Sequence, residues 1–244
     1  MYTYEVTTTE SIPSPEISHL VTEDDTPVDN FPSAKQQRFL TTTLYSSWTG
    51  PGNSRPFLVA ANVGVFSSNR IPPIVPDVFL SLDVQVADNW WEKQNRSYFI
   101  WEFGKPPEVA IEIVSNREGN ELTSKLKAYE RMRVSYYVVF DPIKQLGESI
   151  LQIFQLQGTS YVLMTQTWLE QVGLGLTLWE GVFEGREDVW LRWCNREGNV
   201  ILTGTERAQQ AESQLQETQS LLEQERQRAE QLAQHLRSLG VDPD

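Results

Sequence analysis

The chain has 244 residues and a formal net charge of −13. That length allows one domain of ordinary size plus an appendage. Eight Trp, ten Phe and eight Tyr can fill a core, a single cysteine excludes an internal disulfide or a Cys-based zinc cluster, and two His leave little for a His-rich metal site. No apolar run approaches the ~18–20 residues that cross a bilayer. The first residues, MYTYEVTTTE, have neither a basic nor an apolar stretch of the kind a secretory signal needs. The expected compartment is cytoplasmic.

The acidity is concentrated at the ends. Residues 1–30 carry seven acids and no Lys or Arg, and residues 205–244 carry eight acids against four Arg. The body between them is nearly neutral. In it Lys93, Arg96, Lys105, Arg117, Lys125, Lys127, Arg131 and Arg133 fall close together with several Glu among them. This reads either as a phosphate-facing patch or as solvated surface.

In chain order, residues 1–16 read as an acidic Thr/Pro-rich leader, and ISHLVTEDD as a short strand running into an acidic turn. Residues 33–48 read as a helix with Ser33 as N-cap, because Phe39, Leu40, Leu44 and Trp48 keep a helical rhythm. Gly50, Pro51, Gly52 and Pro56 then break the chain. Residues 57–68 read as a strand. Residues 71–84 follow with Pro76 at a strand start, where proline is tolerated. A further strand is expected at 97–103.

Residues 108–142 read strand, helix, strand: EVAIEIVS, then a helix over 120–133, then VSYYVVFDP stopped by Pro142. The crossover length predicts a parallel pair. On the helix, Leu122, Leu126, Tyr129 and the stem of Arg133 should line one face. SILQIFQLQGTSYVLM and VWLRWCNREGNVIL each read as a Gly-turn hairpin. The body, 17–204, is thus expected to be α/β, with one mixed sheet, helices against it and antiparallel strands at the end.

The tail from 205 to 240 is a helix. Ala208, Leu215, Leu222, Ala229 and Leu236 recur every seven residues, with Ala211, Thr218, Glu225, Leu232 and Leu239 three residues beyond them. This heptad pattern suits a coiled coil, with Gly240 and then Pro243 ending the helix. The expectation is a homodimer joined through 205–239, with packing of the helix on the body as the other reading.

The chemistry turns on VAIEIVSN. In a strand, Glu112 shares a face with Ala110 and Val114, while Val109, Ile111 and Ile113 line the other. An apolar run of this kind indicates burial on both faces, where a lone carboxylate is costly. A cation partner, a place at the strand end, or a shared metal ion would each offset that cost. The metal option needs a second carboxylate, and Asp77 in IVPDVFL also interrupts an apolar run. Two carboxylates with waters suit Mg²⁺. Lys125, one turn into the helix, would neutralise charge at phosphorus or orient water. Against these stand plainer readings: turn chemistry for Asp77, a structural ion pair for Glu112, and pairing with Glu121 four residues earlier for Lys125.

VPDVFL, VAIEIVSN, KLKAY and VSYYVVFDP together resemble the Uma-two family, bacterial proteins described as putative restriction endonucleases and built on the PD-(D/E)xK nuclease core. The resemblance spans about 17–190, and 105–142 is its most specific part. It places the family's Asp on Asp77, its strand Glu and following Ser on Glu112 and Ser115, its helix Lys and Tyr on Lys125 and Tyr129, and its Tyr-Tyr to Asp-Pro strand on Tyr136, Tyr137, Asp141 and Pro142. It implies a restriction-endonuclease-like fold and a metal-dependent phosphodiesterase acting on DNA. Asp77, Glu112 and Lys125 would be its catalytic residues. Asp77, Glu112 and the Ile113 carbonyl would hold Mg²⁺ or Mn²⁺. The chain departs from the nuclease signature two residues after the Glu, where Val114 stands in place of Lys. The ammonium would then come from Lys125 on the helix. No acid lies in 33–48, so Glu23, Asp24 or Asp25 are the local acids for a first-helix role. Two other readings compete: a non-catalytic interaction module that keeps this fold, and a glycoside hydrolase built on the Asp77–Glu112 carboxylate pair, which leaves Lys125 without a role.

Overall fold

The structure is a computed structural model that describes residues 16, 30–52, 55–115 and 120–239. The leader, the ISHLVTEDD segment, Glu23, Asp24, Asp25, Arg117, Gly240 and Pro243 lie outside the described residues. The chain forms two units, 1–201 and 202–244.

The first unit opens with α1 (Phe31–Ser47). Its N-cap is Asn30 rather than Ser33: the Asn30 side chain accepts the Ser33 N–H at 2.9 Å, and Pro32 sits in the first turn, where a missing N–H costs nothing. The Thr run that follows is compatible with a helix because its hydroxyls bond back one turn. Thr41 donates to the Gln37 carbonyl at 2.9 Å, Thr42 to Arg38 at 2.7 Å and Thr43 to Phe39 at 2.6 Å.

Two short strands replace the single one expected over 57–68: β1 (Phe57–Ala61) and β2 (Val65–Phe66). Asn62, in the left-handed region at φ 54°, breaks the run. Strand β3 (Val78–Leu82) begins just past Pro76 and Asp77. After a 3-10 turn at Lys93–Asn95 comes β4 (Tyr98–Phe99). The strand expected at 97–103 then ends early. Ile100–Phe103 is a helical turn, α2, closed by Gly104 at φ 74°.

Strand β5 (Val109–Ile113) leads through a π-helical turn (Glu121–Lys125) into α3 (Leu126–Met132) and β6 (Tyr136–Phe140). Arg133 is not on the helix face as expected. It is the left-handed C-cap at φ 66°, and its guanidinium donates to the Gly158 carbonyl at 2.6 Å. Strands β7 (Leu151–Gln157) and β8 (Ser160–Leu163) form a hairpin, and β9 (Trp168–Leu169), β10 (Leu174–Phe183) and β11 (Arg186–Cys194) follow.

The main sheet is mixed and six-stranded, in the order β1-β3-β5-β6-β7-β8. As expected, β5 and β6 are parallel, with Glu112 opposite Val139; the other neighbours are antiparallel. A separate three-stranded sheet runs β11-β10-β9, and β2 and β4 form a parallel pair. The last hairpin differs from the expectation. The partner of β11 is β10, upstream, paired over nine residues, and NREGN closes only a single bridge from Cys194 to Val200.

Each face of the main sheet carries a core. Val109, Ile111, Val138 and Val78 face Leu40 and Leu44 of α1 and Leu191 and Trp193 of β11. The Gln36 side chain bonds both the N–H (3.0 Å) and the C=O (2.8 Å) of Leu191, and the Trp193 indole donates to the Leu40 carbonyl at 3.1 Å. Ala110, Val114, Phe79, Tyr137 and Val139 face Tyr129 and Met132 of α3.

The second unit is α4 (Gly204–Ser238). A capping box starts it: Thr203 accepts the Glu206 N–H at 3.1 Å, and the Glu206 carboxylate accepts the Thr203 N–H at 2.7 Å. Leu215, Leu222, Leu232 and Leu239 of the heptad set are exposed. No helix among the described residues is long and apolar enough to cross a membrane.

Candidate active site

The site forms where the β3–β5 ladder stops. Its last pair is Val78 with Ile111. The next N–H of β5 on that edge, from Ile113, has no strand partner and donates to the Asp77 carboxylate at 2.7 Å. In a strand the N–H and C=O of one residue point the same way, so the Ile113 carbonyl also faces the Asp77 edge. The other Asp77 oxygen accepts from the Gln37 amide on α1 at 2.9 Å. Gln37 in turn exchanges hydrogen bonds with Asn62, at 3.2 and 3.1 Å. This first-helix contact comes from a neutral amide, which no pattern of acids in the sequence reveals.

Glu112 is 1% exposed. The Tyr129 hydroxyl donates to one of its oxygens at 2.6 Å and the Lys125 ammonium to the other at 2.9 Å. Of the three ways to keep a carboxylate in this strand, the cation partner is therefore present, together with a phenol. Lys125 also meets Glu121 at 3.4 Å, so the pairing with Glu121 and the pairing with Glu112 coexist.

Lys125 closes the π-helical turn. Lys125 N–H bonds the Asn120 carbonyl five residues back, at 3.2 Å. Such a turn is frequent at functional sites. The Tyr137 hydroxyl, stacked against Tyr129 with ring centroids 4.9 Å apart, donates to the Glu121 carbonyl at 2.9 Å. Glu121 is buried, and its second carboxylate oxygen has no hydrogen-bond partner among the described residues. The sequence presents Glu121 as an ordinary helix acid, so its burial was not visible there.

Electrostatics tie these groups together. Burial pushes the Glu112 carboxyl up to about 7, with Lys125 opposing and Asp77 adding to the rise. Burial pulls the Lys125 ammonium down, but Glu112, Glu121 and Asp77 outweigh it, and its pKa ends above the usual lysine value. Burial and the Glu112 charge hold the Tyr129 phenol well above its ordinary range. The Asp77 charge is felt at Glu112, Lys125, Tyr129 and Tyr137 alike.

Val114 is buried in the apolar layer beside Ala110, so the lysine of the nuclease signature has no counterpart on this strand. Asp141 proves to be a turn device: its carboxylate accepts the N–H groups of Gln145 (2.9 Å) and Leu146 (2.6 Å) beyond Pro142. Of the basic residues that cluster in the sequence, Lys105 pairs with Glu108 at the far end of β5 and Lys127 with Glu130.

Among the described residues no cluster of three or more His, Cys, Asp or Glu is arranged to hold a metal. The donor types at the sheet end nevertheless suit a hard divalent cation: two carboxylates, a backbone carbonyl on the same edge, and a buried carboxylate oxygen left over on Glu121. Lys125 meets two of the acids, Glu112 and Glu121, and feels the charge of the third, Asp77.

A protein-family model, Uma2, described as putative restriction endonuclease, matches residues 22–179. Comparison with curated proteins gave no match.

Proposed function

The chain belongs to the Uma2 family of putative restriction endonucleases, and on that premise we propose that it is a divalent-metal-dependent endonuclease that hydrolyses DNA phosphodiester bonds. One observation carries the reading: a buried glutamate and a lysine from the crossover helix meet at 2.9 Å, at the sheet end that also holds Asp77. The mixed sheet with helices on both faces supports a restriction-endonuclease-like body over 17–204, joined to the helical tail 205–240.

In this reading Asp77, Glu112 and the Ile113 carbonyl would hold Mg²⁺ or Mn²⁺. The bound ion would polarise the phosphoryl group and lower the pKa of a water. Lys125 has its pKa raised by its carboxylate neighbours, so it keeps its proton at neutral pH. It therefore acts as a fixed positive charge toward a phosphoryl oxygen and not as a base. Tyr129 fixes one Glu112 oxygen, and Gln37 fixes one Asp77 oxygen. Glu121 positions the ammonium from the far side.

The test is cleavage of supercoiled plasmid DNA with Mg²⁺ or Mn²⁺. Wild type should nick or linearise it, and Asp77→Ala and Lys125→Ala should each lose at least about 100-fold in rate. Equal rates in all three proteins would remove these residues from the chemistry. The exposed leucines of α4 support a homodimer through 205–239, which would bring two such sites to the two DNA strands.

A second reading, a non-catalytic interaction module, is favoured by Val114 and by the pairing of Lys105 and Lys127 with neighbouring acids. Failure to bind DNA even at low ionic strength would decide for it, because phosphate contacts strengthen steeply as salt falls.

A further inference from the structure

The sheet face that carries Glu112 also floors a pocket of about 400 Å³. Ala60, Val63, Phe79 and Tyr98 form its base, and Trp90 and Trp91 stand at its mouth. Strand alternation puts Phe79 in step with Asp77, two residues or ~7 Å further along β3. Val63 follows Asn62, whose N–H donates to the Asp77 carbonyl at 3.3 Å and whose side chain bonds Gln37. The pocket thus shares a sheet face with Glu112, and its lining begins two residues along β3 from Asp77.

The loop at its mouth is braced. The Arg96 guanidinium donates to the Trp91 carbonyl at 2.6 Å. The Asn95 amide donates to the Asn89 carbonyl at 3.2 Å and to the Asn89 side chain at 2.9 Å. This bracing holds Trp90 and Trp91 58% and 76% exposed, edge to face with centroids 5.9 Å apart. Two adjacent indoles displayed on a braced loop mark a binding surface. Lys93 and Arg96 share the loop with Asp88 and Glu92, so its charge is balanced and it is no phosphate cradle by itself. It offers aromatic faces, an apolar floor, and polar atoms from Asn95, Arg96 and Ser97. A flat aromatic ring with polar edges and a charged linkage on either side matches all three.

We propose that this pocket takes an unpaired nucleobase, stacked on Trp90 or Trp91, from the strand whose phosphate reaches Asp77, Glu112 and Lys125. The proposal rests on the nuclease reading and names its substrate: DNA with a single-stranded or extruded base. The base would be gripped by stacking, which is sequence-tolerant.

The experiment measures binding of the full chain with Ca²⁺ in place of Mg²⁺, and intact DNA on a gel confirms that cleavage plays no part. Fluorescein-labelled oligothymidylate, a fully paired duplex and a duplex with one bulged thymidine are compared by anisotropy at low salt. Wild type should prefer the oligothymidylate and the bulged duplex. Trp90→Ala with Trp91→Ala should weaken both by about tenfold or more and leave the paired duplex unchanged, while Trp90→Phe with Trp91→Phe retains most of the affinity. If the double alanine variant melts early, Trp91→Ala alone serves, since that ring is mostly in water. Undiminished binding by the alanine variants overturns the base pocket and leaves the nuclease reading standing. A wild-type protein that binds none of the three DNAs overturns both. Equal losses on all three also overturn it, because they mark a general contact and not a base site.

Discussion

Replacing Glu112 with Gln isolates what the sheet spends on this carboxylate. In the folded chain the Glu112 carboxyl holds its proton up to about pH 7, chiefly because it is buried. A carboxyl whose folded pKa stands above its unfolded value contributes stability that is full below about 4.5 and is lost as pH rises through about 7. Displacement from 4.5 to about 7 corresponds to about 3 kcal/mol. Gln has the same shape, can still accept from Tyr129, and does not ionise. Its loss of the ion pair matters little, because Lys125 is a third exposed and keeps Glu121. Urea unfolding of both proteins, run in parallel from pH 4 to pH 8, should therefore give nearly equal stabilities at the acid end. By pH 8 wild type should fall behind Glu112→Gln by about 3 kcal/mol. If Glu112→Gln loses ground instead as the pH rises, the pair with Lys125 outweighs burial and the carboxylate is ionised in the fold.

Tyr129→Phe removes the 2.6 Å hydrogen bond to Glu112 but keeps the ring on Tyr137. It should cost about 1.5–3 kcal/mol in urea unfolding at pH 8, and less than about 0.5 would mean that water replaces the phenol. Asn30→Ala deletes the α1 cap and should cost about 1 kcal/mol, read as a lower melting temperature. An unchanged melting temperature would show that α1 starts without it. Leu215→Asp with Leu222→Asp should convert a dimer to a monomer by light scattering, with the β-sheet signal in circular dichroism unchanged. A wild type that is already monomeric rules out the coiled coil.

The parallel β5–β6 pair was legible because VAIEIV and YYVVF are apolar on both faces and separated by one helix. Glu112 and Asp77 were legible for the complementary reason: each is a charge inside an apolar run. What the sequence hid has local causes. Gln37 lies on a helix whose buried positions include several polar residues, so no acid marks it. The pairing of Lys125 with Glu121 follows from their spacing, but the burial of Glu121 comes from the tertiary packing of the turn and leaves no mark in the sequence. YFIW suggests strand alternation, yet Gly104 in the left-handed region closes a helical turn there. The last hairpin turns upstream of NREGN. FEGRE places Glu184 at φ 46° and Gly185 at φ 73° and aligns nine pairs, whereas NREGN, further on, closes one bridge. A turn residue shows where the chain can reverse, but the length of the ladder beside it decides which reversal matters.

Gln36 has a consequence for how the chain survives its own synthesis. Strand β11 is an outer strand of its sheet, and such a strand offers its open N–H and C=O groups to any other chain that drifts past. At Leu191 both groups are occupied by one amide from a helix 155 residues earlier. The cover is made before the strand it covers and cannot act until that strand exists. In a nascent chain the Leu191 groups therefore stay open from the emergence of β11 until α1 docks, an interval in which another chain can pair with them.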